Sequence, residues 1–274
     1  MSRIFLLTIA VVLVWSCKKD DGPEIEIVPP RTLAEVIAED NLEIMAYLQT
    51  HFYNYEEFES PPAGFDFKIV IDTIAGDNAD KTPLIDQMSS KSLIRSSSHF
   101  GLSTGEEDVE HTMYYLEARQ GIGDAITVAD STFVRYEGSL LNGSVFDGAA
   151  NTPVWFDLAQ IQSPQGGARG FTEGTAEFRS GGEAIVNDDG TFDVEGFGVG
   201  LIVFPSGLGY FNATPPNIPA YSPLVFKVEV FAINKTDHDR DGIPSIEEDL
   251  NGDGYLYNDN TDEAFEVANN LQRF

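Results

Sequence analysis

The chain has 274 residues, with 16 Lys and Arg against 45 Asp and Glu, so its formal net charge is −29 at pH 7. This acidity argues against nucleic-acid binding, because phosphate recognition needs a basic face that releases counterions. A hydrophobic content of 42% with 11% aromatic residues suffices for a buried core and excludes a chain that is disordered throughout.

Cysteine and histidine usage excludes two further kinds of site. Cys17 is the only cysteine, so an intrachain disulfide framework is excluded. The four histidines (His51, His99, His111 and His238) are too scattered to form a zinc-type cluster with it. The chain also lacks GxGxxG, Walker-type, HExxH and GxSxG motifs, which excludes most nucleotide-dependent and hydrolase functions.

The first 16 residues predict a lipoprotein signal peptide. A short basic start precedes the apolar run IFLLTIAVVLV, which is shorter than the roughly 20 residues needed to cross a bilayer. Cys17 follows Ser16 directly after this run and resembles the lipidated cysteine of a bacterial lipobox. The alternative is an ordinary export signal followed by a coincidental buried cysteine.

The segment 17–31 is charged and contains proline, as a tether should. Its KKDD sequence resembles the surface-export signal of some Gram-negative lipoproteins. We therefore expect a protein anchored by lipid to the bacterial outer membrane, either facing the periplasm or exposed at the surface.

Residues 32–110 predict an N-terminal extension without chemistry of its own. TLAE at Thr32 is a capping box, and Leu33, Val36, Ile37, Ile44 and Leu48 form the apolar stripe of a helix that reaches about His51. The alternating FDFKIVIDTI predicts a strand. The Ser-, Gly- and Asp-rich stretch from Asp77 to about Asp108 predicts a loop.

From His111 onward the sequence predicts strands. The stretches TMYYLEA, STFVRYEGSLL, EAIV and TFDV around the turn NDDG, VGLIVF and PLVFKVEVFAI have the composition of strands, and FTEGTAEF is the one plausible short helix. The predicted class is α+β, an antiparallel sheet with one short helix.

Residues 111–234 contain four spaced motifs, which are VRYEGSLLNGSVFDG, RGFTEG, FPSGLGY and IPAYSPLVFKVEV. In sequence and in order these motifs resemble those of the FKBP family of peptidyl-prolyl isomerases. The resemblance implies a twisted antiparallel sheet of five or six strands wrapped on one helix, with the active pocket between them. It also implies that no cofactor is needed for catalysis.

The resemblance places nine residues at the pocket. Tyr136, Phe146 and Asp147 match the first motif, and Phe171 replaces the tryptophan that the family usually has at the pocket floor. Tyr210 and Ile218 match a loop whose hydroxyl and backbone N–H meet the substrate carbonyl. The remaining three, on the walls, are Val154, Phe156 and Phe226.

The sequence leaves three functions open. The first is a membrane-anchored prolyl isomerase that acts on proline-containing polypeptide clients among exported or surface proteins. The second is an FKBP-like binding module without efficient turnover, because Gly167-Ala168 stands where the family has an apolar pair and a stretch of roughly 16 extra residues lies between Gly181 and Leu201. The third is a calcium-dependent structural lipoprotein.

The acidic tail, residues 235–274, predicts calcium loops. Carboxylates alternate before a glycine, as in an EF-hand loop, where oxygen ligands converge on one hard cation. Pro244 departs from that pattern, and the run resembles thrombospondin type 3 repeats; the alternative is a solvated acidic tail. The candidate ligands are Asp237, Asp239, Asp241, Ile243 through its carbonyl, Glu248, Asp249, Asn251 and Asp253.

Overall fold

The computed structural model describes residues 29–163, 167–188, 192–238, 240, 242–249 and 251–256. The predicted signal peptide and Cys17 therefore lie outside the described residues, as do Asp239 and Asp241 of the tail. No helix in this described part combines the length and the apolar character needed to cross a bilayer.

Eleven strands and four α-helices make up the described fold. The helices are α1 Leu33–Thr50, α2 Tyr55–Glu59, α3 Leu158–Ile161 and α4 Arg169–Thr175. The strands are β1 His51–Tyr53, β2 Ile71–Thr73, β3 Ser89–Arg95, β4 Val109–Arg119, β5 Ser131–Leu140, β6 Val145–Gly148, β7 Val154–Asp157, β8 Ala184–Val186, β9 Phe192–Val194, β10 Gly198–Phe204 and β11 Leu224–Asn234.

A seven-stranded antiparallel sheet has the order β3-β4-β10-β11-β5-β6, with β7 also paired to β5. One edge of β5 pairs with β11, and the other edge is shared by two strands, because Ser131–Val134 pairs with β7 and Glu137–Ser139 pairs with β6. The pairs β1-β2 and β8-β9 form separate two-stranded sheets. The β8-β9 pairing confirms the hairpin predicted around NDDG, whose turn residues 189–191 are outside the described residues.

Strand β10 is buried along its entire length because both faces of the sheet are covered. Val199, Leu201 and Val203 pack with Ile44 and Leu48 of α1 on one face. Ile202 and Phe204 point to the other face, into the core that includes Phe171 of α4. Successive strand residues alternate between faces, so a strand with two covered faces becomes a continuous apolar run.

Helix α4 lies unusually close to β10 because two glycines face the strand. A Cβ on Gly170 would lie 2.4 Å from the Phe204 ring, and one on Gly174 would lie 2.5 Å from Ile202. These distances are well inside van der Waals contact. The spacing of four residues puts both glycines on one helix face, which sets the depth of the neighbouring Phe171.

The extension departs from prediction in two places. Helix α1 is confirmed, with the Thr32 side chain accepting from the Glu35 N–H. However, the predicted loop contains β3, which pairs with β4 and brings the predicted five or six strands to seven. The predicted strand FDFKIVIDTI is regular only over Ile71–Thr73, because Phe67 has a φ of 58° that breaks extended geometry.

Candidate active site

A cavity of about 140 Å³ opens between α4 and strands β5, β6, β7 and β11. Its lining is mainly aromatic, with one carboxylate. The lining residues are Tyr136, Phe146, Asp147, Phe156, Ile161, Ala168, Phe171, Tyr210 and Phe226. Seven of the nine residues predicted at the pocket are therefore brought together.

The aromatic rings form a connected wall. The Phe171 ring lies 5.1 Å from Phe226, 5.6 Å from Phe156 and 6.1 Å from Tyr136, in edge-to-face arrangements. Phe146 closes the wall at 5.6 Å from Phe226. Ring pairs at these distances and angles are in the favourable range, so the wall is rigid as well as apolar. Phe171 is 3% exposed and forms the floor.

Asp147 is the single charged side chain in the lining and is held by Tyr136. The Tyr136 hydroxyl donates to Asp147 Oδ2 at 2.7 Å, and the Gly148 N–H donates to Asp147 Oδ1 at 2.9 Å. Burial and then the hydrogen bond to Asp147 raise the pKa of Tyr136 well above its ordinary value. The phenol therefore stays protonated at neutral pH and keeps the carboxylate oriented.

Tyr210 is fixed by close packing but keeps its hydroxyl available. A Cβ on Gly167, whose φ is 89°, would lie 2.8 Å from the Tyr210 ring, so the chain passes directly over that ring. Among the residues that the structure describes, none is hydrogen-bonded to the Tyr210 hydroxyl. Burial, and secondarily the charge of Asp147, raises the pKa of Tyr210. The group is thus a protonated donor at the cavity.

Two predicted pocket residues do not line the cavity. The Ile218 N–H, predicted to meet a substrate carbonyl, donates instead to Pro215 O at 3.0 Å, because the proline-rich segment folds into a turn. Val154 pairs with Val134 on β5, and the longer Phe156 side chain forms that wall.

Two lining residues, Ile161 and Ala168, are not among the nine predicted at the pocket. Ile161 ends the four-residue helix α3, which is too short to give a periodic signal. Ala168 comes directly before the RGFTEG motif, and this position, where the family has an apolar residue, was the signal for it.

A buried ionic cluster supports the far side of α4. Arg169 Nε donates to Glu173 Oε1 at 3.0 Å, and Lys91 Nζ lies 3.1 Å from Glu173 Oε2. The side chains of Arg169 and Glu173 are only 3% and 2% exposed. Arg169 also donates to the carbonyls of Ile94 and Asp253, so it joins the helix to β3 and to the tail.

The described part of the tail contains two turns of the same geometry. Asp237 accepts from the N–H groups of Arg240 and Gly242 at 2.7 and 2.9 Å. Asp249 accepts from those of Gly252 and Gly254, both at 2.9 Å. Within the described residues, no group of three or more His, Cys, Asp or Glu side chains is arranged to hold a metal ion.

A larger groove lies between the β1-β2 hairpin and the turn after β5. It encloses about 480 Å³, and polar groups including Asp72, Thr73, Glu137, Asn142 and Lys227 make up much of its lining. The Lys227 ammonium is paired with Glu137 at 2.8 Å. A groove of this composition offers few apolar contacts, whereas the aromatic cavity has a mainly apolar wall, so we identify the smaller cavity as the candidate site.

Comparison with known proteins shows which family the cavity-bearing segment is similar to. Residues 123–231 match the family model of FKBP-type peptidyl-prolyl cis-trans isomerases. A probable FKBP-type isomerase of Haemophilus influenzae is 33% identical over 125 residues, covering 44% of this chain and 42% of that protein. The probable isomerase FkpA of Neisseria meningitidis serogroup B is 31% identical over 130 residues, covering 44% and 45%.

The crystal structure of FkpA from Escherichia coli is 28% identical, covers 52% of this chain and 51% of that chain, and has a TM-score of 0.35. The chain thus spans about half the length, or less, of the curated relatives that it matches. The family match and the antiparallel sheet with its short helix confirm the predicted FKBP-like α+β fold.

Proposed function

We propose that residues 111–234 act as a peptidyl-prolyl cis-trans isomerase on X-Pro bonds of exported or surface proteins. The observation that carries the proposal is the aromatic cavity with Asp147 and two tyrosines, inside the segment that matches the isomerase family. The class of client rests on the predicted signal peptide.

The chemistry suits an apolar cavity. Rotation about a prolyl bond crosses a barrier of about 18–20 kcal/mol because the planar amide has partial double-bond character. That character and its charge separation are lost in the twisted transition state, so a desolvated cavity favours the twisted state over the planar one. No covalent bond is made or broken, and the reaction needs no nucleophile or cofactor.

Polar groups at the rim supply positioning. In this proposal the Tyr210 hydroxyl donates to the carbonyl of the residue before proline, and the Asp147 carboxylate, held by Tyr136, keeps a fixed negative charge at the mouth. Fixing the substrate lowers the entropic part of the barrier.

Adjacent residues of β7 provide a matched test. Phe156 lines the cavity, whereas its neighbour Trp155 is 53% exposed and stacks on Phe133 outside it. On a short X-Pro peptide we expect Phe156→Ala to lower kcat/KM at least about tenfold, equal to about 1.4 kcal/mol of lost transition-state stabilisation. Trp155→Ala should retain the wild-type rate. A wild-type protein no faster than the uncatalysed reaction would overturn the proposal.

The alternative is a peptide-binding module of the same fold without efficient turnover. It is favoured by the internal hydrogen bond of the Ile218 N–H and by the small side chain of Ala168 at the cavity. Binding of a proline peptide that depends on Phe156, without acceleration of isomerisation, would establish this alternative.

We propose further that the tail binds Ca²⁺ as a structural ion. Support comes from the alternating carboxylates in the sequence and from the shared turns at Asp237 and Asp249. Calcium accepts flexible coordination by six to eight oxygens, whereas Mg²⁺ demands a tighter octahedral site and should bind less well. Limited proteolysis in the presence of Ca²⁺ or of a chelator tests this, and Ca²⁺ should protect the tail from cleavage. The control is the double variant Asp237→Asn/Asp249→Asn, which should not be protected. Cleavage of the tail that is equal under both conditions would refute it.

We also propose that Cys17 is lipidated and anchors the protein to the outer membrane through residues 18–31. Support comes from the apolar run before Cys17 and from the charged tether after it. Metabolic labelling with a fatty acid should mark the wild type but not Cys17→Ala. Equal labelling, or equal release of both proteins in soluble form, would refute lipidation.

A further inference from the structure

The loop over residues 205–221 joins β10 to β11 and carries Tyr210 into the cavity. Its backbone has positive φ at three residues with side chains: Phe211 at 48°, Asn217 at 66° and Tyr221 at 59°. Such conformations are unfavourable for bulky residues and persist only where surrounding contacts hold them. The contacts that hold this loop therefore determine where Tyr210 lies.

The first of these contacts is a buried carboxylate from the extension. Asp40 of α1 is 3% exposed, and its Oδ2 accepts from both the Ser206 N–H at 2.8 Å and the Ser206 hydroxyl at 2.6 Å. Ser206 is itself fully buried and begins the short helical turn four residues before Tyr210. The Phe211 N–H in turn donates to Ser206 O at 2.9 Å, so the carboxylate fixes the chain on both sides of Tyr210.

The middle and the end of the loop also contact the extension. The Phe211 side chain, 1% exposed, packs with Leu33 and Val36 of α1. At the end of the loop, the Tyr221 hydroxyl accepts from the Arg31 N–H at 3.1 Å. The loop is thus held at its start, middle and end by residues 31–40.

We propose that helix α1 positions the cavity loop, with Asp40 as a positioning residue for Tyr210. This gives the N-terminal extension a role at the candidate isomerase site that no motif in the sequence indicates. The inference rests on the proposed isomerase function for its kinetic consequence. Its structural content, that Asp40 holds Ser206 and through it the loop, is separately measurable.

Three variants test the role of the carboxylate. Asp40→Ala leaves the N–H and hydroxyl of Ser206 without their acceptor, and we expect kcat/KM on an X-Pro peptide to fall at least about tenfold, mostly in kcat. Asp40→Asn keeps an acceptor oxygen and should restore the rate to within about threefold of wild type. Ser206→Ala removes only the hydroxyl donor and should lie between them.

The control is Ile44→Val on the same helix. Ile44 is fully buried in a cluster of apolar side chains that contains no residue of the loop, so this variant should lower stability slightly but leave kcat/KM within about twofold. Hydrogen exchange provides the readout that does not depend on catalysis. The backbone amides of Ser206, Phe211 and Tyr221 should exchange at least about tenfold faster in Asp40→Ala than in the wild type. Their exchange rates should be unchanged in Ile44→Val.

The outcomes separate the two proposals. An inactive wild type with the expected exchange pattern overturns the isomerase function and leaves the loop assignment standing. Asp40→Ala with wild-type rate and wild-type exchange overturns the positioning role. If Asp40→Ala fails to fold, Ser206→Ala decides: unchanged rate and exchange in that variant would also overturn it.

Discussion

Glu173 is the side chain whose neutralisation should destabilise the protein most among the charged groups of α4. Its carboxylate is 2% exposed and faces Arg169 at 3.0 Å and Lys91 at 3.1 Å. Glu173→Gln preserves shape and one acceptor oxygen but removes the negative charge. Arg169, itself buried, would then lack a counter-charge, whereas Lys91 would keep Glu177 at 2.8 Å.

The expected magnitude follows from this burial. Removing one partner of a buried ion pair costs about 3–5 kcal/mol, because the remaining charge is left uncompensated in a low-dielectric surrounding. That is a large share of the roughly 5–15 kcal/mol by which a typical domain is stable. We expect Glu173→Gln to lower the free energy of unfolding by about 3 kcal/mol.

Urea denaturation followed by far-UV circular dichroism measures the effect, with an unchanged m-value showing that the same surface is exposed on unfolding. The matched control is Glu39→Gln, which removes a carboxylate from the exposed ion pair with Arg31 and should leave the midpoint unchanged. A midpoint shift in Glu173→Gln no larger than that of the control would refute the argument from burial.

Two further predictions concern titration and packing. Burial raises the pKa of Asp40 to about 6, so its contribution to stability is present at low pH and is lost as the pH rises through 6. Burial lowers the pKa of His111 to about 4, so its contribution to stability is lost as the pH falls from 6.5 towards 4. The two trends, each about 3 kcal/mol, oppose one another. Relative to the wild type, Asp40→Asn should therefore lose stability, and His111→Gln should gain it, as the pH of denaturation falls from 6.5 to 4. A wild type and two variants with the same pH dependence would contradict these assignments. Gly170→Ala places a Cβ 2.4 Å from the Phe204 ring, and we expect a cost of about 1–3 kcal/mol together with weaker peptide binding as Phe171 moves. Wild-type affinity and stability in titration calorimetry and thermal melts would contradict the close packing.

The sequence predicted elements whose signal is local. Thr32 caps α1 and the apolar stripe marks the buried face, because capping and periodicity act over a few residues. Strand β3 was missed because SSKSLIR is polar: it lies at the edge of the sheet, where a strand needs few apolar residues.

The cavity was predictable in its aromatic wall but less so in its polar details. Tyr136 and Phe226 belong to spaced motifs. The hydrogen bond of the Ile218 N–H to Pro215 O, in contrast, depends on how the prolines after Ala213 fold the loop. The Arg169–Glu173 pair is four residues apart and visible in sequence, but its burial depends on Lys91 and on the tail. Contacts between segments distant in sequence have no local pattern that would reveal them.

The contacts between residues 31–40 and the cavity loop have a consequence for the order of folding. Asp40 meets Ser206 across 166 residues, and Arg31 meets Tyr221 across 190. Helix α1 emerges before this loop during synthesis and must therefore wait for it. Chains dominated by such non-local contacts fold slowly, since a large loop must close before its contacts are gained. We expect Leu33 and Val36 to lack their contact with Phe211 until synthesis passes Tyr221, which leaves this end of α1 in need of protection on the nascent chain.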